Sequence, residues 1–225
     1  PKTFYPRLTM KLYTYILVLF VLLPLSFYGK AEWELIKDKK GIEIYTKKGN
    51  NREYIEIKGV SEVRSNLTAF VALMKDVNGF ENWMHAAKET SLIEKNNEYH
   101  FSYYLHSDIP WPAKDRDVVL NFRIFRDTSH QVIYTTASNL KGKIPKKEGI
   151  RRISSVKSSW RFVPIEGNRV KIIFETLVNP GIQLPDWLAE KIYQLAPYHT
   201  IKNMKQTVQK EKYQSARIDL NKIPQ

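Results

Sequence analysis

One stretch limits this chain more than any other: Tyr99 to Arg126, which reads YHFSYYLHSDIPWPAKDRDVVLNFRIFR. Two alternating runs flank Ile109-Pro110-Trp111-Pro112. No regular element absorbs that centre, because each proline lacks a backbone donor and pushes the residue before it into an extended shape. Ahead of it, Tyr99, Phe101, Tyr103 and Leu105 alternate with His100, Ser102, Tyr104 and His106. Beyond it, Val118, Leu120, Phe122 and Ile124 share one parity, and Val119, Asn121, Arg123 and Phe125 take the other. Period two over this length predicts a long antiparallel pair with one face turned to an apolar interior. The connection is a stiff turn with Trp111 at its tip.

The chain is 225 residues long, enough for one sizeable domain with a complete core. Its 13 Tyr, 10 Phe and 5 Trp argue against disorder. With no cysteine, disulfides, thiolate metal sites, a cysteine nucleophile and a lipidated N-terminal cysteine are excluded.

Near the N-terminus, Lys11 precedes an apolar run from Tyr13 to Leu25, and Gly29 and Ala31 follow as small residues. The run is short for a membrane span of about 20 residues. It reads as a secretory signal peptide over residues 1–31, starting at Met10 and cut after Ala31. That would make the protein exported, to a periplasm or outside the cell. The alternative is an uncleaved anchor, since Lys30 is awkward in a cleavage region. Without residues 1–31 the chain loses Lys2, Arg7, Lys11 and Lys30 and no acid, so 32 basic residues face 23 acidic ones, a net charge of +9 instead of +13. Such a charge favours anionic surfaces. No nucleic-acid-binding signature accompanies it, so the expected partner is an anionic membrane surface, met transiently.

From Trp33 the text is mixed; Gly41 to Thr46 and Tyr54 to Val60 then alternate as a hairpin around Gly49-Asn50-Asn51. Ser65-Asn66 caps a helix with apolar Leu67, Phe70, Val71 and Met74, ending near Asp76. Strands are expected at 90–94 and 131–138, followed by a polar loop, 139–149, holding Lys141, Lys143, Lys146 and Lys147. Two long strands, 150–163 and 168–178, join at Pro164-Ile165-Glu166-Gly167. Leu184-Pro185-Asp186 opens a last helix with Leu188, Ile192, Leu195 and His199 on one face; Pro197 kinks it, and Ile201, Met204 and Val208 form a rotated face. From Gln214 to Gln225 the chain reads as a loose polar tail. The plan is a hairpin, a helix, about six further strands and a long C-terminal helix. This α+β pattern is satisfied by a curved antiparallel sheet wrapped around the terminal helix, which tends to leave an apolar hollow.

Taken in order, Trp83 with Lys88-Glu89, Pro110-Trp111-Pro112 with Arg116-Asp117, and Gly181-x-x-Leu184-Pro185 resemble the START (steroidogenic acute regulatory protein-related lipid transfer) domains, in a bacterial-type single-domain form. The resemblance covers roughly Trp33 to Lys212, and sets the domain at 32–213. It implies a helix-grip fold with an internal tunnel holding one lipid or other hydrophobic small molecule. It also implies carriage of that ligand between membranes or to a partner, with the basic loop and terminal helix as a lid. Some members place an acid and an arginine inside the tunnel; the matching positions here are Tyr103 and Phe122, neither charged. A largely apolar ligand is therefore expected, with the Tyr103 hydroxyl as one polar contact. The chain is expected to act as a monomer without a cofactor or metal.

The expected lipid-lining residues are Phe101, Tyr103, Leu105, Val118, Leu120, Phe122, Leu188, Ile192, Leu195 and His199. Periodicity alone does not separate a lined cavity from filled core at the strand positions; the residues by themselves favour core, and the resemblance favours the cavity. Arg116 and Asp117 either contact ligand or fix the turn. The membrane-docking candidates are Trp111, Lys141, Lys143, Lys146 and Lys147. Each Lys near an anionic surface adds about 1 kcal/mol, although a solvated loop and a packed Trp fit the same text. No catalytic residue is assigned. A cyclase- or hydrolase-like enzyme of the helix-grip type is the alternative, with Tyr103 or His199 as first acid/base candidates.

Overall fold

The computed structural model describes residues 33–47, 54–179 and 191–225. The leader reading over 1–31, the turn at Gly49-Asn50-Asn51 and the helix entry through Leu188 lie outside them. Among the described residues, no helix is long and apolar enough to cross a membrane.

The described residues form ten strands, β1 (Trp33–Lys39), β2 (Ile42–Lys47), β3 (Ile55–Arg64), β4 (Ala87–Asn97), β5 (His100–Ser107), β6 (Arg116–Asp127), β7 (Val132–Asn139), β8 (Arg151–Arg152), β9 (Ser155–Ile165) and β10 (Arg169–Asn179). They form one sheet in the order β1-β2-β3-β10-β9-β7-β6-β5-β4, antiparallel throughout, with the short β8 running parallel beside β6. The predicted central pair is β5 with β6, in register from His100↔Arg123 to Ser107↔Arg116. β1 carries no legible alternation because its pairing with β2 shifts between Leu35 and Lys37, a bulge that breaks the period. β4 is longer than the expected 90–94. Three irregularities against β5 scramble its pattern at this sheet edge. β9 runs on through Pro164, past Phe162 where pairing with β7 ends, so the missing N–H interrupts no ladder on that side. The turn falls one step later, with Gly167 and Asn168 both left-handed (φ 75° and 53°).

Helix α1 (Leu67–Lys75) begins where predicted: Asn66 accepts from the Ala69 N–H at 2.8 Å. Its buried face lies on the sheet, with Phe70 stacked on Phe162 at 4.3 Å. A 3-10 turn, Val77–Asn82, follows and delivers Phe80 and Trp83 to the interior. The C-terminal helix is described from Lys191. One π-helical turn, Lys191–Leu195, passes into α2 (Ala196–Thr207) with Pro197 in its first turn. The hydrogen-bond pattern thus changes at the expected proline. Tyr198, Ile201, Met204 and Val208 are buried under α2. Gly59 on β3 allows the close approach: a Cβ there would collide with Ile201 Cδ1.

The reading of 214–225 as a loose tail is corrected. α3 (Glu211–Gln214) docks on the end of α1, where Asp76 accepts from Lys212 at 2.6 Å and Tyr213 at 2.7 Å. Beyond it Ile223 is only 4 % exposed, and the Arg126 N–H donates to the Pro224 carbonyl at 2.7 Å. Spaced single apolar residues, Ile218, Leu220 and Ile223, anchor an otherwise polar segment.

Candidate functional site

Along β5 and β6, the concave face carries Phe101, Tyr103 and Leu105 beside Val118, Leu120, Phe122 and Ile124. Leu105 is half-buried and the rest are buried. Phe80 meets this wall edge-on, at 5.2 Å from the Tyr103 ring and 6.4 Å from that of Phe122; Trp83 stands edge-on to Trp160 at 5.9 Å. The Tyr103 hydroxyl has no hydrogen-bond partner among the described residues, and burial alone pushes its phenol upward. Among the described residues, the rings of Phe80, Phe101 and Phe122 surround the Tyr103 ring, with Leu120 its cross-strand partner on β6. Trp83 is fully buried, and its indole Nε1 has no partner among the described residues. The wall is aromatic and uncharged, which suits dispersion contact with an apolar molecule.

The convex face of the same strands carries the other parity, the side that alternation places away from the apolar interior. Ser102, Tyr104, His106, Asp117 and Val119 are buried instead. The cause is the segment between β7 and β8, which folds back over them. Arg152 closes its fork on Asp117, Nε to Oδ1 at 2.7 Å and Nη2 to Oδ2 at 3.0 Å, and Tyr104 donates to the same carboxylate at 3.3 Å. Lys147 lies 4.4 Å over the Tyr104 ring and 3.0 Å from Glu89; Lys143 reaches Glu94 at 2.7 Å. Among the described residues, only Lys141 and Lys146 of the four candidate lysines lack an ion pair. A pocket of about 480 Å³ opens under this segment, with Val118, Val119, Leu140 and Ile144 in its walls and Lys141, Lys146 and Arg152 among its lining.

Trp111 is 88 % exposed at the tip, so it does not pack under a strand. The turn is held by Asp115, which accepts from His106 at 2.8 Å, Lys88 at 3.2 Å and the Ile109 N–H at 3.2 Å. Burial works against the Asp115 charge, but these donors prevail and hold its carboxyl at about 2. Arg116 and Asp117 do not pair with each other; as strand neighbours they point to opposite faces. Sequence reasoning missed Asp115, Glu89, Glu94 and Arg152. Only their charge signals them, because their partners lie far along the chain.

On the C-terminal helix, Ile192, Leu195 and His199 are half-buried and lie outside the packed core. His199 stacks on His85 at 5.0 Å, ring to ring. Burial lowers the pKa of both, and for His199 the nearby His85, Lys202, Lys37 and Lys39 add to it. Among the described residues, no group of three or more His, Asp or Glu could hold a metal ion.

A curved antiparallel sheet closed over a C-terminal helix, with an aromatic concave face, defines the helix-grip class. Within it, the START-domain model matches residues 27–214, and the chain belongs to that family. An uncharacterized protein of Pseudomonas aeruginosa is 27 % identical over 182 residues, 80 % of this chain and 88 % of its own. The phosphatidylcholine transfer protein of Rattus norvegicus is 26 % identical over 162 residues, covering 70 % of this chain and 75 % of the relative. The crystal structure of a STAR-related lipid transfer protein fragment from Xanthomonas axonopodis superposes with a TM-score of 0.71 at 25 % identity, covering 79 % of this chain and 99 % of that one.

Proposed function

We propose that the protein binds one lipid or similar hydrophobic molecule between the concave sheet face and the C-terminal helix, and carries it between membranes. The observation that carries this reading is the START-domain match over both halves of the grip, sheet and helix together. The uncharged wall at Tyr103 and Phe122 and the lipid-transfer names of the rat and Xanthomonas relatives agree with it. Docking falls to the exposed Trp111 and to the unpaired Lys141 and Lys146, with Lys143 and Lys147 serving to fasten their segment. The protein acts as an exported monomer, its leader being residues 1–31.

Solvent extraction of the purified protein followed by mass spectrometry should recover one hydrophobic species near one equivalent per chain. Recovery of no such species, and no uptake from vesicles, would sink the reading. For docking, Lys141 and Lys146 changed together to Ser should weaken binding to anionic vesicles by roughly tenfold or more, at about 1 kcal/mol per Lys. Unchanged vesicle binding at low salt would remove the docking role.

A further inference from the structure

Arg116 is 6 % exposed, and among the described residues it has no carboxylate partner. Its Nη1 donates to the carbonyl oxygens of Lys114 and Asp115. The remaining donors, Nε and Nη2, form the planar fork that grips a carboxylate or phosphate side-on, and among the described residues nothing meets them. Arg152 uses the same two atoms on Asp117. Of the acids near the tip, Asp115 is committed to His106, Lys88 and the Ile109 N–H, Asp117 to Arg152 on the opposite face and Glu89 to Lys147, while the exposed Asp108 lies 3.9 Å from Lys88. The other buried arginine, Arg126, has both terminal nitrogens held by amide side chains, Asn221 at 2.8 Å and Gln131 at 2.5 Å. Arg151 stands opposite Arg116 in register on β8 and adds a second positive charge. Burial and then Arg151 work against the Arg116 charge, and Asp115 offsets only part of that.

A guanidinium so covered is costly unless an anion reaches it. Its position says which. Arg116 shares strand parity with Val118, Leu120 and Phe122, so it heads the row of the concave wall. From there the row runs six residues, roughly 20 Å, to the aromatic floor of Phe80, Tyr103 and Phe122. We infer that Arg116 is an oxyanion-binding residue of the ligand site, taking the carboxylate or phosphate of a bound amphiphile whose apolar part lies along Val118 and Leu120. The inference rests on the lipid-binding reading and narrows it to ligands with one anionic end.

The test compares matched ligands on the full chain by native mass spectrometry: oleate against oleyl alcohol, and dioleoyl phosphatidate against dioleoylglycerol. The native protein should prefer the anionic member by on the order of 10- to 100-fold, as a charge-assisted fork would give. Arg116→Gln should abolish the preference while binding of the neutral member persists, and Arg116→Lys should keep part of it. Inorganic phosphate at millimolar concentration separates the sources. Arg116-dependent displacement of the anionic ligand by phosphate identifies a free anion as occupant, whereas no displacement identifies the lipid's own head group. Equal binding of anionic and neutral members by the native protein overturns this inference alone, without needing any variant to fold. An undiminished preference in Arg116→Gln does the same. Binding of neither member overturns the lipid reading with it.

Discussion

The two faces of the β4–β5–β6 wall share their strands and are held by different forces. The concave face is Phe101, Tyr103, Val118, Leu120 and Phe122 against Phe80, and along β6 the charged residues of that parity stand only at its two ends, Arg116 and Arg126. The convex face is a lattice of directed contacts: Arg152 and Tyr104 on Asp117, Lys147 on Glu89, Lys143 on Glu94, His106 and Lys88 on Asp115. Dispersion tolerates a change of partner, and fixed ion pairs do not. The wall is therefore rigid where it must keep the tip and basic segment in place, and adaptable where a ligand would lie.

The largest effect expected from breaking this division is on the convex side. Asp117 is 1 % exposed, and Asp117→Ala would strand the Arg152 guanidinium. A loss of about 3–5 kcal/mol is expected by denaturant unfolding. A loss under about 1 kcal/mol would mean that the lattice is decorative. On the concave side, Phe122→Ala should cost about 3 kcal/mol without ligand and shift the bound species toward bulkier molecules. Loss of stability with an unchanged ligand profile would make that position plain core. Where sheet meets helix, Gly59→Ala drives a methyl into Ile201 Cδ1 and should cost about 1–3 kcal/mol. A neutral result would show that α2 does not grip β3 as closely as described.

The smallest effect is on pH dependence. An aspartate is near 3.9 when unfolded, and Asp115 is held at about 2 when folded. Its contribution is therefore complete above about pH 4 and fades as pH falls toward 2. Asp115→Asn should flatten that acid limb of stability. A residual slope is expected from Glu98, which hydrogen bonds from Lys75 and Lys95 also hold at about 2. An acid limb identical to the native one would mean that the tip is held by its prolines alone.

Alternation made the concave face legible, since a two-residue period over β5 and β6 survives unbroken. The same period misled on the convex face. Tyr104 and Val119 look like solvent-side residues until the segment after β7 is known to cover them. Bulges hid β1 and most of β4. The tail's order rests on Ile223 and on backbone contacts that no local pattern announces. For the site, the neutral positions Tyr103 and Phe122 were visible by counting from Arg116. The isolation of Arg116 itself was not, because it depends on where Asp115 and Asp117 turn, and strand neighbours that read as a pair in sequence part to opposite faces.

The central claim is that the concave face, and not the convex one, holds the ligand. Native mass spectrometry of the wild-type chain, Leu120→Trp and Lys147→Ser after incubation with a lipid mixture tests it directly. A single lipid adduct is predicted for the wild type and for Lys147→Ser, and its loss for Leu120→Trp, whose added rings fill the space along β6. Equal adducts on all three proteins, or an adduct lost only in Lys147→Ser, would contradict it.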